Sequence, residues 1–536
     1  GKTSNPQVPS VVHLHDTDSQ FVNSSLHTYA GFDVLYDADG GFIGIAKNDF
    51  SSETDAEVKQ IIAAQGNLDL TKDFATNLPV LLMGASTVSS TGAATFNSPI
   101  SGFTGTEVLT LASGSVYLNG SITHVGSVAV TGGTTVLNNA ATGAVYSGSL
   151  NIAKGAAFQS YAVSDGSGNG TGGYSVGSGA TFTNGGTFTA TTVTQSGGAT
   201  TSQQGWLIND GTIINTGTIN ADIVNNGTFT NNGTLNGTMT VTGTHGGNGT
   251  VTNLLAQTGA TVSPGNSIGK ILVGNNAAFA SGSTLLMELG ASGTSDQILV
   301  GGAVISDGAW VHLRPGAGFV PQYGASYTLV SAASISGRFV FGGDSEIGTA
   351  QSLYPFLGAD ISVSNGDLVA TLGRSAVSFT ALAQTPNQAA TAFAADSLPA
   401  SSPLVAMLAT LSAGAVPTAF TALSGEEHAT AQSVLQTQST YVRDAISGRL
   451  RQATSETVVG DAPTTATLGS LGATLWAQAY GGWGDNDGNA NASGYSSSIG
   501  GFLIGLDGEW ADWRVGLAAG FGQSTFDLDT VPSNGS

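Results

Sequence analysis

Cysteine is absent from this 536-residue chain. That excludes a disulfide framework, so a large protein outside the cytoplasm would have to rely on its core or on repeat stacking. The absence does not by itself fix a compartment. Charge is scarce too: Asp, Glu, Lys and Arg make up 9% of the sequence, against roughly a quarter in ordinary globular domains. Lys and Arg number 13 against 35 Asp and Glu, a formal charge of −22. Phosphate backbones would be repelled, which argues against a nucleic-acid partner. No window reaches the roughly 18 uninterrupted apolar residues of a transmembrane helix. The nearest stretch, SPLVAMLATLSAGAVPTAF from Ser402 to Phe420, is broken by Ser, Thr, Gly and Pro417 and reads as amphipathic helix and turn. No signal-peptide pattern follows Gly1, and the chain ends in TVPSNGS directly after a strand-like run. Both ends read as cuts in a longer polypeptide.

Gly is abundant, at 78 residues, and with it come Thr, Ser, Asn and Val. That composition predicts a β-rich chain with many tight turns. The stretch NNGTFTNNGTLNGTMTVTGT (Asn225 to Thr244) carries four lone hydrophobics: Phe229, Leu235, Met239 and Val241. Disorder does not fit it, because disordered tracts are highly charged and poor in β-branched residues. A stacked coil does fit. Phe or Leu points inward, Thr flanks it as a strand former, and Asn-Gly makes the corner. Equivalent Asn side chains can then form hydrogen-bonded ladders.

The same rhythm of single alternating hydrophobics and turn signals runs from about 81 to 370. At roughly 20–25 residues per coil this gives about a dozen coils, stable as a stack rather than singly. The predicted fold is all-β: a right-handed parallel β-helix, then a linker α-helix, then the first strands of a truncated transmembrane β-barrel. Five segments follow. Residues 1–46 are strand-like, with a hairpin turn at DADGG (Asp37 to Gly41), and end an upstream domain. Residues 47–80 are a linker in which EVKQIIAAQGN forms a short helix ending at Gly66. Residues 81–370 are the solenoid, whose part 261–370 is richer in apolar runs and serves as its stabilising end. Residues 371–470 are helical; Val434, Leu435, Tyr441, Val442, Ile446 and Leu450 form an amphipathic stripe. Residues 471–536 return to period two. There Trp513, Val515, Leu517, Ala519 and Phe521 share one face, and Arg514, Gly516, Ala518 and Gly520 the other. A wholly apolar face opposite a small or polar one, with aromatics at strand ends, is the mark of a transmembrane β-barrel.

Three blocks in this order resemble the autotransporters of type V secretion in Gram-negative bacteria. VLTLASGSVYLNGSITHVGSVAVTGGTTVLNN is similar to the family's passenger-associated strand repeat. TVSPGNSIGKILV (Thr261 to Val273), with STLLMELGASGTSDQILVGG and SYTLVSAASISGRF, resembles the end of pertactin-type passengers. TPNQAATAFA (Thr385 to Ala394), ALSGEEHATAQSVLQTQSTYVRDAISGRL and LWAQAYGGWGD resemble the linker helix and first barrel strands. The resemblance implies a self-secreted surface passenger, a stalk or adhesin, exported through its own outer-membrane barrel. Its partners would be outer-membrane lipid, the outer-membrane assembly machinery and an unidentified cell-surface ligand. The family barrel has about twelve strands, so the three or four here predict an incomplete sheet. TYAGFDVLYDADGGFIGIA separately resembles the last strands of a pepsin-like aspartic peptidase. It implies an alternative role, stalk and translocator of a secreted peptidase whose catalytic residues lie upstream.

No Ser-His-Asp spacing, P-loop or paired carboxylate stands out in the solenoid, so no catalytic, cofactor or metal residue is assigned. Asp16-Thr17-Asp18-Ser19 is not a catalytic Asp-Thr-Gly: its Gly is replaced, and too little chain separates it from the terminal hairpin. His13 and His15 beside Asp16 form a partly solvated strand rather than a metal edge, because a third His is missing. Asn226, Asn232, Asn236 and Asn248 each begin an Asn-Gly-Thr sequon, which corner geometry explains without a sugar. The acidic excess contains neither an EF-hand loop nor a GGxGxD array for Ca²⁺. Asp507, Glu509 and Arg514 are pore-lining candidates that could meet the linker helix.

Overall fold

The computed structural model describes residues 32–37, 42–47, 60–138, 145–164, 170–171, 173–196, 199–342, 345–455, 462–529 and 534–535. His13, His15, the Asp16–Ser19 stretch and most of the DADGG turn lie outside them. The chain forms two compact units.

The first unit is a solenoid of short parallel strands. Each coil pairs with the next in register, so the sequence offset between partners is the coil length. Asn97 bonds Asn77 at an offset of 20, and Asn119 bonds Asn97 at 22. Asn184 bonds Asn215 at 31, and Asn215 bonds Asn231 at 16. The expected 20–25 residues per coil is therefore too narrow. Asn-Gly-Thr corners turn the chain in so few residues that the coils between Trp206 and Thr250 shrink, whereas the wider ones carry extra loop or hairpin residues, as in the antiparallel pair Thr187–Ser196 and Ala199–Gln204.

Alternation places one residue type inside. Phe182, Ile213, Phe229, His245, Val262 and Leu285 stack coil upon coil, each with essentially no exposure. Leu235, Met239 and Val241 are likewise buried, as the alternation predicts. The corners hold two kinds of asparagine. Asn184, Asn215 and Asn231 form a buried ladder: the first two Nδ2 groups each donate to the next Oδ1, and all three donate to a Thr carbonyl. Asn209 and Asn225 form a second. The sequon residues Asn226, Asn232, Asn236 and Asn248 are the exposed neighbours, bonded between coils through Asp210, Thr242, Asn220 and Lys270.

His245 departs from the apolar column. Neither ring nitrogen makes a hydrogen bond of good geometry, and the imidazole stacks on Phe229 at 5.5 Å. Burial pushes its pKa down to about 4, with a small opposing contribution from the Phe229 backbone. Asp296 accepts hydrogen bonds from the backbone N–H groups of Gly269 and Glu288, yet burial pushes its pKa up to about 6.

Both ends of the stack differ from a plain coil. Phe32–Asp37 and Phe42–Lys47 pair antiparallel, the expected hairpin. The segment expected as a short helix is instead the strand Gln60–Leu70, antiparallel to Phe42–Lys47 and parallel to Val80–Ser90. Ile62, Ala64 and Leu68 are buried at strand spacing, so stacking on the next coil overrides local helix propensity. At the far end, Ser326–Phe341 stacks in parallel on Gln297–Pro315 and pairs antiparallel with Asp367–Arg374. That reversed strand, with Leu368 and Ala370 buried, covers part of the edge that the last coil would otherwise expose.

The second unit contains helices Pro386–Asp396, Pro403–Ala409, Val416–Leu423 and Glu426–Ala453. The short ones carry a proline in the first turn and pack around Phe356, Phe379 and Phe420. No helix among the described residues is long and apolar enough to cross a membrane. After the long helix, Thr464–Leu468, Ala473–Asn486, Tyr495–Trp510, Trp513–Leu528 and Asn534–Gly535 form an open antiparallel sheet.

Candidate functional site

The sheet has two unlike faces. One presents Phe502, Ile504, Leu506, Val515, Leu517 and Phe521, all exposed, with Trp483, Trp510 and Trp513 toward the strand ends. Leu517 is 86% exposed and Trp483 89%. An apolar band bounded by aromatics suits hydrocarbon with interfaces on either side. The other face is covered by the helix Glu426–Ala453. Val434 packs with Ile499 and Phe526, and Ala445 with Trp476 and Leu503. Tyr441 stacks on Tyr480, centroids 5.7 Å apart. Gln438 accepts a hydrogen bond from Ser524 at 3.3 Å.

Two glycines show why this face is small. A Cβ on Gly482 would lie 2.3 Å from the Tyr441 hydroxyl, and one on Gly505 would lie 2.4 Å from the Trp476 ring. Any side chain there would push away an aromatic that seats the helix.

The polar part of the contact is one network. Arg449, on the helix, grips Asp507 with both arms of its guanidinium: Nε to Oδ2 at 2.6 Å and Nη2 to Oδ1 at 2.9 Å. Both side chains are 7% exposed. Arg514 also donates to Asp507 and reaches Glu509 at 3.0 Å. Arg449 donates to Gln452, which donates to the Pro463 carbonyl. Asp507, the expected pore-lining candidate, meets the helix, and Arg514 joins it to Glu509. Arg449 was missed. Its signal is its phase: residues 434, 438, 441, 445 and 449 share one helical face.

The predicted stripe divides differently. Val434 is buried, but Leu435, Ile446 and Leu450 are 60%, 39% and 48% exposed. The seated face instead carries Val434, Gln438, Tyr441, Ala445 and Arg449, which pack or hydrogen-bond against the wall. At the helix start, Asn387 and Asn491 exchange hydrogen bonds, while Glu426 accepts from Asn387 and from the Ser493 N–H. No group of three or more His, Asp or Glu that could hold a metal occurs among the described residues.

Residues 475–536 match the family model of the autotransporter β-domain. From residue 475 on, this sheet is similar to an autotransporter β-domain. Two curated relatives extend the likeness beyond the β-domain. Both are named "Extracellular serine protease" and come from Serratia marcescens. One is 28% identical over 318 residues, 50% of this chain and 29% of the relative. The other is 28% identical over 308 residues, 48% of this chain and 28% of the relative. The chain therefore spans less than a third of either relative. Neither name favours the aspartic type that the N-terminal resemblance implied.

Proposed function

We propose that the chain is the stalk, linker and leading barrel strands of a self-exported protein of the Gram-negative outer membrane. The observation that carries this is the direction of the helix. Strands Ala473–Asn486 and Tyr495–Trp510 are joined by the long polar segment 487–494, and Trp510 and Trp513 by two residues only. In outer-membrane barrels long loops face outward and short turns face the periplasm. Glu426 contacts the long loop, and Arg449 meets Asp507 near the short turn. The helix then runs from the outside in, so everything before it in sequence emerges on the cell surface.

On this reading residues 60–370 are the passenger stalk, 261–370 its first-folding end, 371–470 the linker and 471–536 the start of the translocator. The outer face meets lipid, and the outer-membrane assembly machinery inserts the barrel. Coils stack as they emerge, supplying free energy for export without nucleotide hydrolysis. No step of this requires a cofactor, and the work of these residues is display, as a stalk or adhesin for a cell-surface ligand. The relatives' names favour a second reading, in which a serine-protease domain precedes the stalk. Peptide cleavage by intact cells, blocked by a serine-directed inhibitor, would distinguish it from a bare adhesin.

Pro at Val434 tests the export reading. It removes a helix hydrogen bond and clashes with the preceding turn, at about 3 kcal/mol or more. In cells making the whole protein, surface display of the passenger should fall while barrel insertion persists. Unchanged display would sink the pore-threading role.

A further inference from the structure

We infer that Asp507 is a docking carboxylate, kept compensated by Arg514, that stops the linker helix in one register by capturing Arg449. The inference rests on the export reading above.

The wall carries its own cation. Arg514 stands directly across from Glu509 in the strand register and spans from Glu509 to Asp507. With the helix seated Asp507 is 7% exposed, and a carboxylate buried there without a cation would be costly. With Arg514 present, the site remains compensated before any helix arrives. Arg449 then adds two parallel N–H···O bonds, the fork geometry that a lysine cannot reproduce. Arg514 keeps Glu509, 77% exposed, as a second anchor while it shares Asp507.

The helix offers no substitute for Arg449. A slip of one turn, about 5.4 Å, would bring a residue three or four positions away to Asp507. Those residues are Ala445 and Ile446 on one side, Gln452 and Ala453 on the other. The neighbouring arginines, Arg443 and Arg451, are exposed. Only one register therefore places a guanidinium on the carboxylate, and a sliding helix would halt there, where Tyr441 also stacks on Tyr480.

None of these 536 residues is a cysteine that could compete with an engineered pair. Gln438 and Ser524 touch, so the pair Gln438→Cys with Ser524→Cys reports the seated register by disulfide formation in cells making the whole protein. Val442→Cys or Val434→Cys with Ser524→Cys reports a slip of one turn either way. The seated pair should dominate with Arg449 intact. Arg449→Gln or Asp507→Asn should lower it several-fold and raise a slipped pair, Arg449→Lys should fall between, and Arg449→Gln with Asp507→Asn should be no worse than either alone. If the seated pair is unchanged in Arg449→Gln while the passenger still reaches the surface, the register stop is wrong and the export reading stands. If no helix–wall pair forms with Arg449 intact, the export reading fails first.

Discussion

Acid should loosen the coils around His245, whose buried imidazole is the reason. The imidazole is fully buried and neutral, and its pKa lies near 4 against 6.5 for the free side chain. Above pH 6.5 neither folded nor unfolded chain is protonated there, and nothing is lost. As pH falls through 6.5 the unfolded chain binds a proton that the folded coil refuses, so stability drops until the folded value is reached. The full loss is about 3 kcal/mol, and at pH 5 about 2 kcal/mol is already gone. Asp296 works in the opposite sense: its raised pKa means that the folded state gains relative stability as pH falls below about 6. An absolute pH profile would therefore blend the two, and the informative quantity is a difference. His245→Phe keeps a flat ring against Phe229 and cannot titrate. Hydrogen exchange of the strands Thr228–Asn231, Thr244–Gly247 and Thr261–Pro264 should be compared in the two proteins at matched pH. Relative to pH 7.5, the variant's protection at pH 5 should gain by about 30-fold where opening exposes the ring. If the difference between the two proteins does not widen between those pH values, the buried neutral histidine is not limiting and the reasoning fails.

Asn215→Ala should remove the acceptor of Asn184 and the donor to Asn231 and Thr234, costing about 2–3 kcal/mol for buried groups left unpaired. Urea-dependent exchange of the adjacent coils would read this, and equal exchange in both proteins would refute a stabilising ladder. Gly505→Ala should displace Trp476 and unseat the helix end, at about 1–3 kcal/mol of overpacking. Trypsin should then cut after Arg449 and Arg451 faster than in the parent, and unchanged cleavage would count against close packing there.

Much of this was legible because the solenoid obeys a period of two. Phe229 and Leu235 alternate with Thr and Asn, so their inward direction follows from the pleat, and Asn-Gly corners follow from turn chemistry. The barrel faces were readable from Trp513 to Phe521 for the same reason. Gln60–Leu70 was not, because EVKQIIAAQGN satisfies a helix locally and only the neighbouring coil makes it a strand. Coil length was also hidden, since loops of any size preserve the alternation. Helical phase puts Arg449 on the seated face, but its partner Asp507 lies 58 residues away, and phase alone does not name that partner.

The offsets between stacked partners also govern how quickly the stalk can form. Antiparallel sandwiches and barrels often join residues distant along the chain, and the cost of closing such loops slows them. Among the described residues, stacked parallel coils pair residues 15 to 33 apart. In a chain this long, that is a relative contact order on the order of 0.05, as local as a helical bundle. A segment leaving a narrow opening therefore never waits for a distant partner. One coil's worth of chain, laid on the coil before it, completes each addition, and the exposed unpaired length stays short throughout.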